Sequence, residues 1–233
     1  MYTYAFCKTP LTPLKLPHGM VGDIQTVEAG QLMALIEPAI LLDSLQQDDA
    51  LLVQAVLAHD RVIRNLFLQT TILPLRFGTS FSSLDGLQAH LNAQQQTYLS
   101  KLAQLEGKAE YTLKLMPLDL PATGIAPETT GKDYFLAKKR QYQTQQLHRQ
   151  QQQAALERIR QVIAQVASSY CFSGDQADSK TAFLLLERDR EPQLRQVVHT
   201  LQKQHPEWQI TLEDALPPYH FVEDTSESDL HHL

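Results

Sequence analysis

Thr71-Ile-Leu-Pro-Leu-Arg-Phe77, closed by Gly78, is the stretch on which the reading of the first half of the chain turns. Leu73, Leu75 and Phe77 alternate with Pro74 and Arg76, the two-residue period of a strand with one apolar face. Pro74 has no N–H to give to a ladder, so the strand belongs at the edge of a sheet or carries a bulge. Gly78 ends it.

Working outward, the segment before this strand is the clearest helix. Leu52, Ala55, Val56, His59, Val62, Ile63 and Leu66 fall on one face of Ala50–Phe67, with Asp48 and Asp49 supplying a cap and a favourable dipole charge. Tyr2, Tyr4 and Phe6 alternate with Thr3, Ala5 and Cys7 in a first strand. Residues 8–30 hold Pro10, Pro13 and Pro17 and read mostly as loop, with room for one short strand. Downstream, Ser82 or Ser83 caps a second helix through Leu84, Leu87, Leu91, Tyr98, Leu102 and Leu105, which Gly107 closes. Tyr111, Leu113 and Leu115 then alternate in a further strand. This order predicts an α+β, ferredoxin-like (split βαβ-type) domain over residues 1–117.

Residues 118–131, rich in proline and threonine, read as a linker. A long helix is expected from Asp133 to Ala167. Its stretch 141–153 holds eight glutamines in thirteen residues, read as a solvent-facing part of a helix in preference to an interaction segment. Ala182-Phe-Leu-Leu-Leu186 reads as a central strand, Leu194, Val197, Val198 and Leu201 as a helix face, and Trp208, Ile210 and Leu212 as a final strand. A second ferredoxin-like domain is therefore expected over 132–222, opened by the Gln-rich helix, with 223–233 a mobile polar tail.

The 233 residues and their 43% hydrophobic fraction fit two domains with real cores. A net charge of −6 argues against nucleic acid as a partner, and Lys138-Lys139-Arg140 is the most basic run. No secretory start and no long apolar window appear, so neither export nor a membrane is expected. Cys7 and Cys171 lie far apart, as small hydrophobes in a reduced cytosolic setting would.

The sequence offers no P-loop, no dinucleotide-binding glycine fingerprint, no nucleophile elbow, no zincin helix and no paired CxxC. Nine histidines invite a metal, yet His199 and His205 are six apart, His220 follows a proline pair, and His231-His232 lie in the polar tail. His59 sits on an apolar helix stripe. A catalytic base there would need a nucleophile and a cleft, whereas a core histidine needs only one partner per ring nitrogen, the reading preferred here. Arg76 alternates onto the face opposite Leu75 and Phe77, where an ion pair within the fold is expected, with Glu110 a candidate partner.

Ile72-Leu-Pro-Leu-Arg-Phe-Gly-Thr79 resembles the PLRFGT signature of the gas vesicle protein F/L family. Ala58-His59-Asp60 precedes it and Glu110-Tyr-Thr-Leu-Lys-Leu115 follows, in the family's order. Gly131-Lys-Asp-Tyr-Phe-Leu136 is similar to the family's GxxYL helix start, and Leu216-Pro-Pro-Tyr-His-Phe-Val222 to its closing GPWPPYSFV, without the Gly-Pro-Trp lead-in. These pieces span residues 2 to 222. The resemblance implies a non-enzymatic minor structural or assembly protein of gas vesicles, cytoplasmic before assembly. Its implied partners are the small hydrophobic shell protein and other accessory proteins, with no cofactor, metal or small-molecule substrate. His59, Pro74, Arg76, Phe77, Gly78, Tyr134, Pro217, Pro218, Tyr219 and Phe221 carry over as structural or partner-binding positions. A small-molecule-binding regulatory module of ferredoxin-like type is the alternative, since such domain pairs bind ligands on other scaffolds.

Overall fold

Six of the seven residues of β1 (Tyr2–Lys8) are buried, so the chain opens on an interior strand. The computed structural model describes residues 1–38, 40, 48–120, 131–173 and 179–222. β2 (Gln25–Ala29), β3 (Leu32–Glu37), β1 and β4 (Ile72–Pro74) lie in that order in a four-stranded antiparallel sheet. Pro74 faces Ala5 on the outermost strand, where its missing N–H costs no ladder bond. β4 is shorter than its sequence pattern, because the chain turns away after Leu75. One irregularity shapes the site: Thr3 pairs Ile36 but Ala5 pairs Leu35, leaving Tyr4 as the extra residue of a bulge.

α1 (Asp49–Phe67), α2 (Leu84–Ala93) and α3 (Gln95–Leu105) pack on this sheet. The Asp48 carboxylate accepts from Ala50 N at 2.8 Å and Ser83 Oγ from Gly86 N at 3.0 Å, capping α1 and α2. The single helix expected before Gly107 is two, broken at Gln94. On α1, Ala55, His59, Val62, Ile63 and Leu66 point inward as expected, while Val56 faces out.

The second sheet runs β6 (Ser169–Ser173), β7 (Lys180–Glu187), β5 (Lys108–Pro117), β8 (Trp208–Leu212). α4 (Gly131–Val166) lies between β5 and β6 in the chain and α5 (Glu191–Gln204) between β7 and β8. α4 packs through Ala155, Leu156, Ile159 and Ile163 near its end. Farther up, His148 Nε2 and Gln152 Nε2 donate to Leu118 O at 2.8 and 2.9 Å, and Trp208 Nε1 donates to Gln152 O at 3.0 Å. Ahead of His148 the helix stands exposed, with Phe135 at 72% and Tyr142 at 66%. No described helix is long and apolar enough to cross a membrane.

The division of the chain differs from the expected boundary at residue 117. One unit is Met1–Glu110 together with the segment that starts at Leu216; the other is Tyr111–Ala215. The physical reason is pairing. Leu113–Pro117 of β5 align with β8, so this strand serves the second sheet and not the first. The second unit thus opens on β5, not on the Gln-rich helix. Most of the expected linker, residues 121–130, and the expected tail, 223–233, lie outside the described residues.

Candidate functional site

His59, Tyr2 and the Leu75–Gly78 turn form one hydrogen-bonded cluster in the first unit. His59 is 4% exposed. Its Nε2 lies 3.1 Å from Leu75 O, and a carbonyl only accepts, so Nε2 carries the proton. Nδ1 is then an acceptor, 2.7 Å from the Tyr2 hydroxyl, which donates to it. That hydroxyl in turn accepts from Gly78 N at 3.3 Å. Gly78 has φ +95°, open to glycine at little cost, and this conformation belongs to the turn that offers its N–H to Tyr2. Phe77 meets His59 edge-on at 5.8 Å between ring centroids.

Burial holds the His59 pKa down at about 4; the Leu75 carbonyl and Asp60 offset only part of that. The imidazole is neutral at ordinary pH. With both nitrogens engaged inside the protein, it turns no lone pair outward.

The cluster continues through Tyr4, whose ring stacks on His59 at 5.4 Å. From its bulged position Tyr4 donates its hydroxyl to Glu37 Oε2 at 2.6 Å. Glu37 is 1% exposed, at the end of an apolar strand. The loop before β2 wraps it: Met20 N donates to Oε2 at 2.8 Å, Val21 N to Oε1 at 2.8 Å, and Gly22 N also to Oε1. Burial pushes this carboxyl's pKa up, but the four donors together outweigh it and hold the group ionised, below the usual carboxylate range. Gly19 is required by space, since a Cβ there would stand 2.1 Å from Glu37 Oε2. Arg61 of α1 donates to Gly19 O at 3.3 Å, tying the loop to the helix that carries His59.

The closing segment builds a second buried carboxylate site in the same unit. Glu110, 1% exposed, exchanges backbone bonds with Leu216 at 3.0 and 2.8 Å. Its carboxylate accepts from His220 N at 2.9 Å and His220 Nδ1 at 2.7 Å. Pro217 and Pro218 are buried, Tyr219–Phe221 forms a short 3-10 turn, and Lys101 Nζ donates to Val222 O at 2.8 Å. Tyr219 is half-buried; burial first, then the Asp60 charge, raises its hydroxyl pKa well above the ordinary value.

The structure therefore brings His59, Phe77 and Gly78 together around Tyr2, with Pro74 opposite Ala5 on the same sheet. Pro217, Pro218, Tyr219 and Phe221 gather on the segment held by Glu110. Tyr134 belongs to the other unit, 37% exposed on α4 with Lys138 Nζ 5.8 Å over its ring. Arg76 is exposed, and the turn uses its backbone, with Thr79 Oγ1 donating to Arg76 O at 2.8 Å; the buried Glu110 bonds His220. Sequence reasoning missed Tyr2 and Tyr4 as polar partners and missed Glu37 altogether; the signal for Glu37 was an acid ending an apolar run, with Gly19 and Gly22 before it. Among the described residues, no three His, Cys, Asp or Glu side chains are placed to hold a metal ion.

Known proteins share this arrangement of elements. A gas vesicle protein F from a Streptomyces species is 23% identical, covering 95% of this chain and 99% of its own length. The crystal structure of the gas vesicle protein GvpF from Microcystis aeruginosa superposes with a TM-score of 0.69 at 16% identity, over 95% of this chain and 98% of that one. GvpF from an Anabaena species gives 0.70 at 17% identity, over 95% of each. The family pattern described as gas vesicle synthesis protein GvpL/GvpF runs through residues 1–223, across both carboxylate sites and both sheets, and the chain belongs to that family.

Proposed function

We propose that this protein is a non-enzymatic minor structural or assembly component of gas vesicles. It binds the small hydrophobic shell protein and other accessory proteins, and passes from the cytoplasm to the vesicle as that forms. The observation that carries this reading is the family match over residues 1–223. The inward geometry of the Leu75–Gly78 turn supports it. His59, Phe77 and Gly78 hold Tyr2 and α1 in place, which leaves contact with partners to exposed side chains such as Tyr134 and Phe135. Both units are read as ferredoxin-like variants: the second has the order β–α–β–β–α–β, and the first replaces one helix with the loop that wraps Glu37.

Co-expression with the shell protein tests the proposal. The protein is expected to co-purify with it and to be found by immunodetection on detergent-washed vesicles. Phe135→Glu should weaken that association while leaving the thermal midpoint in place, as expected of a position 72% exposed. Folded protein that associates with the shell protein neither in lysate nor on isolated vesicles would overturn the reading.

A further inference from the structure

The first half of α4 presents charge that its own unit leaves unmatched. From Gly131 to Arg149 it holds Lys132, Lys138, Lys139, Arg140 and Arg149 against one acid, Asp133, in a chain whose net charge is −6. All six of these side chains are exposed. With 3.6 residues per turn, Lys132, Phe135, Lys138, Lys139, Tyr142 and Arg149 fall within about one third of the helix circumference. Asp133, Arg140 and Gln141 fall outside it. Phe135, 72% exposed, and Tyr142, 66% exposed, stand about 10 Å apart along the axis of that face.

Several cations elsewhere in this unit are matched. Lys114 meets Glu213, Arg160 meets Glu157 at 3.4 Å, and Arg195 meets Glu191 at 2.7 Å and Asp214 at 2.8 Å. Among the described residues, no carboxylate pairs with Lys132, Lys138, Lys139 or Arg149, and what Lys138 meets is the ring of Tyr134. Packing does not cover the face either. His148 and Gln152, which bond Leu118 O, and the buried Ala155 and Ile159 fall on the adjoining side of the helix.

We propose that this face of α4 docks an acidic segment of another protein, one that sets carboxylates against Lys132, Lys138, Lys139 and Arg149 and an apolar side chain between Phe135 and Tyr142. Charge selects the occupant. Four cations with no acid among them attract an anionic partner and repel a basic one, and the two rings give it an anchor. A helix that lies in a membrane surface needs one broad apolar face. Here Phe135 and Tyr142 lie on one side and Leu136 and Leu147 about 120° around from them. A nucleic acid brings dense negative charge that the rest of this acidic chain repels. A short acidic protein segment meets neither obstacle. Exposed ion pairs are individually weak and screened by salt, so the contact is transient and salt-sensitive. The proposal stands on this face alone, whether or not the partner belongs to a gas vesicle.

The test is fluorescence anisotropy of a labelled glutamate-rich peptide, with two leucines seven residues apart, titrated with the full chain. Binding should saturate at about 50 mM salt and weaken about ten-fold at about 200 mM. Lys138→Glu should weaken it roughly ten-fold and Arg140→Glu less than about two-fold, although both positions are exposed and both changes alter net charge equally. Tyr142→Ser should weaken the leucine-bearing peptide several-fold and leave an all-glutamate peptide of equal length unchanged. None of the three variants should move the thermal midpoint. Equal losses in Lys138→Glu and Arg140→Glu would mean diffuse attraction to positive charge and would overturn the proposal. Tighter binding to phosphatidylserine vesicles or to a DNA duplex than to the peptide would overturn it too, as would a folded chain that does not bind the peptide at low salt.

Discussion

Acid should destabilise the first unit through His59 in particular, and by a calculable amount. The unfolded chain binds a proton on this histidine near pH 6.5, whereas burial holds the folded group at about 4. Between those values the unfolded state carries more protons, so stability rises with pH. The contribution is complete above pH 6.5 and is lost progressively as pH falls toward 4. Linkage puts the loss at roughly 2 kcal/mol at pH 5 and about 3 kcal/mol below pH 4. His59→Gln removes the titrating group while keeping an amide that can donate toward Leu75 O. At pH 8 the variant should be less stable by about 1–3 kcal/mol, through the imperfect partner left to Tyr2. At pH 5 that gap should shrink by roughly 2 kcal/mol, because only the wild type has lost the His59 contribution. Urea unfolding followed by far-ultraviolet circular dichroism at both pH values measures the gap. Trp208, the only tryptophan, lies in the other unit and serves as an internal control. Other histidines and carboxylates titrate alike in both proteins and cancel in the comparison. A gap that is the same at pH 5 and pH 8 would mean that His59 is not held neutral, and the tautomer argument would fall with it.

Three further outcomes follow from the same geometry. Glu37→Gln turns an amide NH₂ toward backbone donors and should cost about 2–4 kcal/mol in urea unfolding, the penalty for leaving buried N–H groups without an acceptor. Gly78→Ala meets no neighbouring atom within 4 Å, so its cost is backbone strain alone. Roughly 1–2 kcal/mol is expected, read as a lowered thermal midpoint with an unchanged spectrum. Truncation before Leu216 removes Pro217, Pro218 and Val222 from the interior and takes His220 from Glu110. Several kcal/mol should be lost, about 1.5–3 for each large buried side chain, and limited proteolysis should then cut the first unit rapidly.

Local pattern carried much of the fold. The alternation of Tyr2, Tyr4 and Phe6, the helical stripe from Ala55 to Leu66, the cap at Ser83 and the edge position of Pro74 were all readable, because each depends on residues close together in the chain. β3 was not. Leu32–Ile36 is an unbroken apolar run buried on both faces, and such a run shows no two-residue period to separate strand from helix. β6 was missed because five residues give too short a window. Val56 was placed inward on spacing alone, but it is 42% exposed beside the buried Ala55. The candidate site was half legible. His59 and the Pro74–Gly78 turn stood out as side chains, yet what organises them is Glu37, and its partners are mostly backbone N–H groups of residues 20–22, which no side-chain pattern reveals. The domain boundary failed for a related reason. Whether Tyr111–Leu115 belongs to the sheet before it or after it depends on pairing with Trp208–Leu212, distant in the chain.

The interruption of the first unit by the second imposes an order on synthesis. When Glu110 leaves the ribosome, all the described helices and strands of its unit ahead of that point are already made, but the Leu216–Val222 segment that completes it is not. All of Tyr111–Ala215 must be translated in between, about 5–20 seconds at ordinary elongation rates. Throughout that interval the Glu110 carboxylate waits without its His220 donors, and the surface that Pro217, Pro218 and Val222 will cover stays wet. The intervening unit has all its described strands and helices once Leu212 is made, so it is free to fold before its host closes. A nascent chain arrested after Ala215 should therefore hold a protease-resistant second unit beside an unfinished first one, and release of the last few residues should act as the final step of folding.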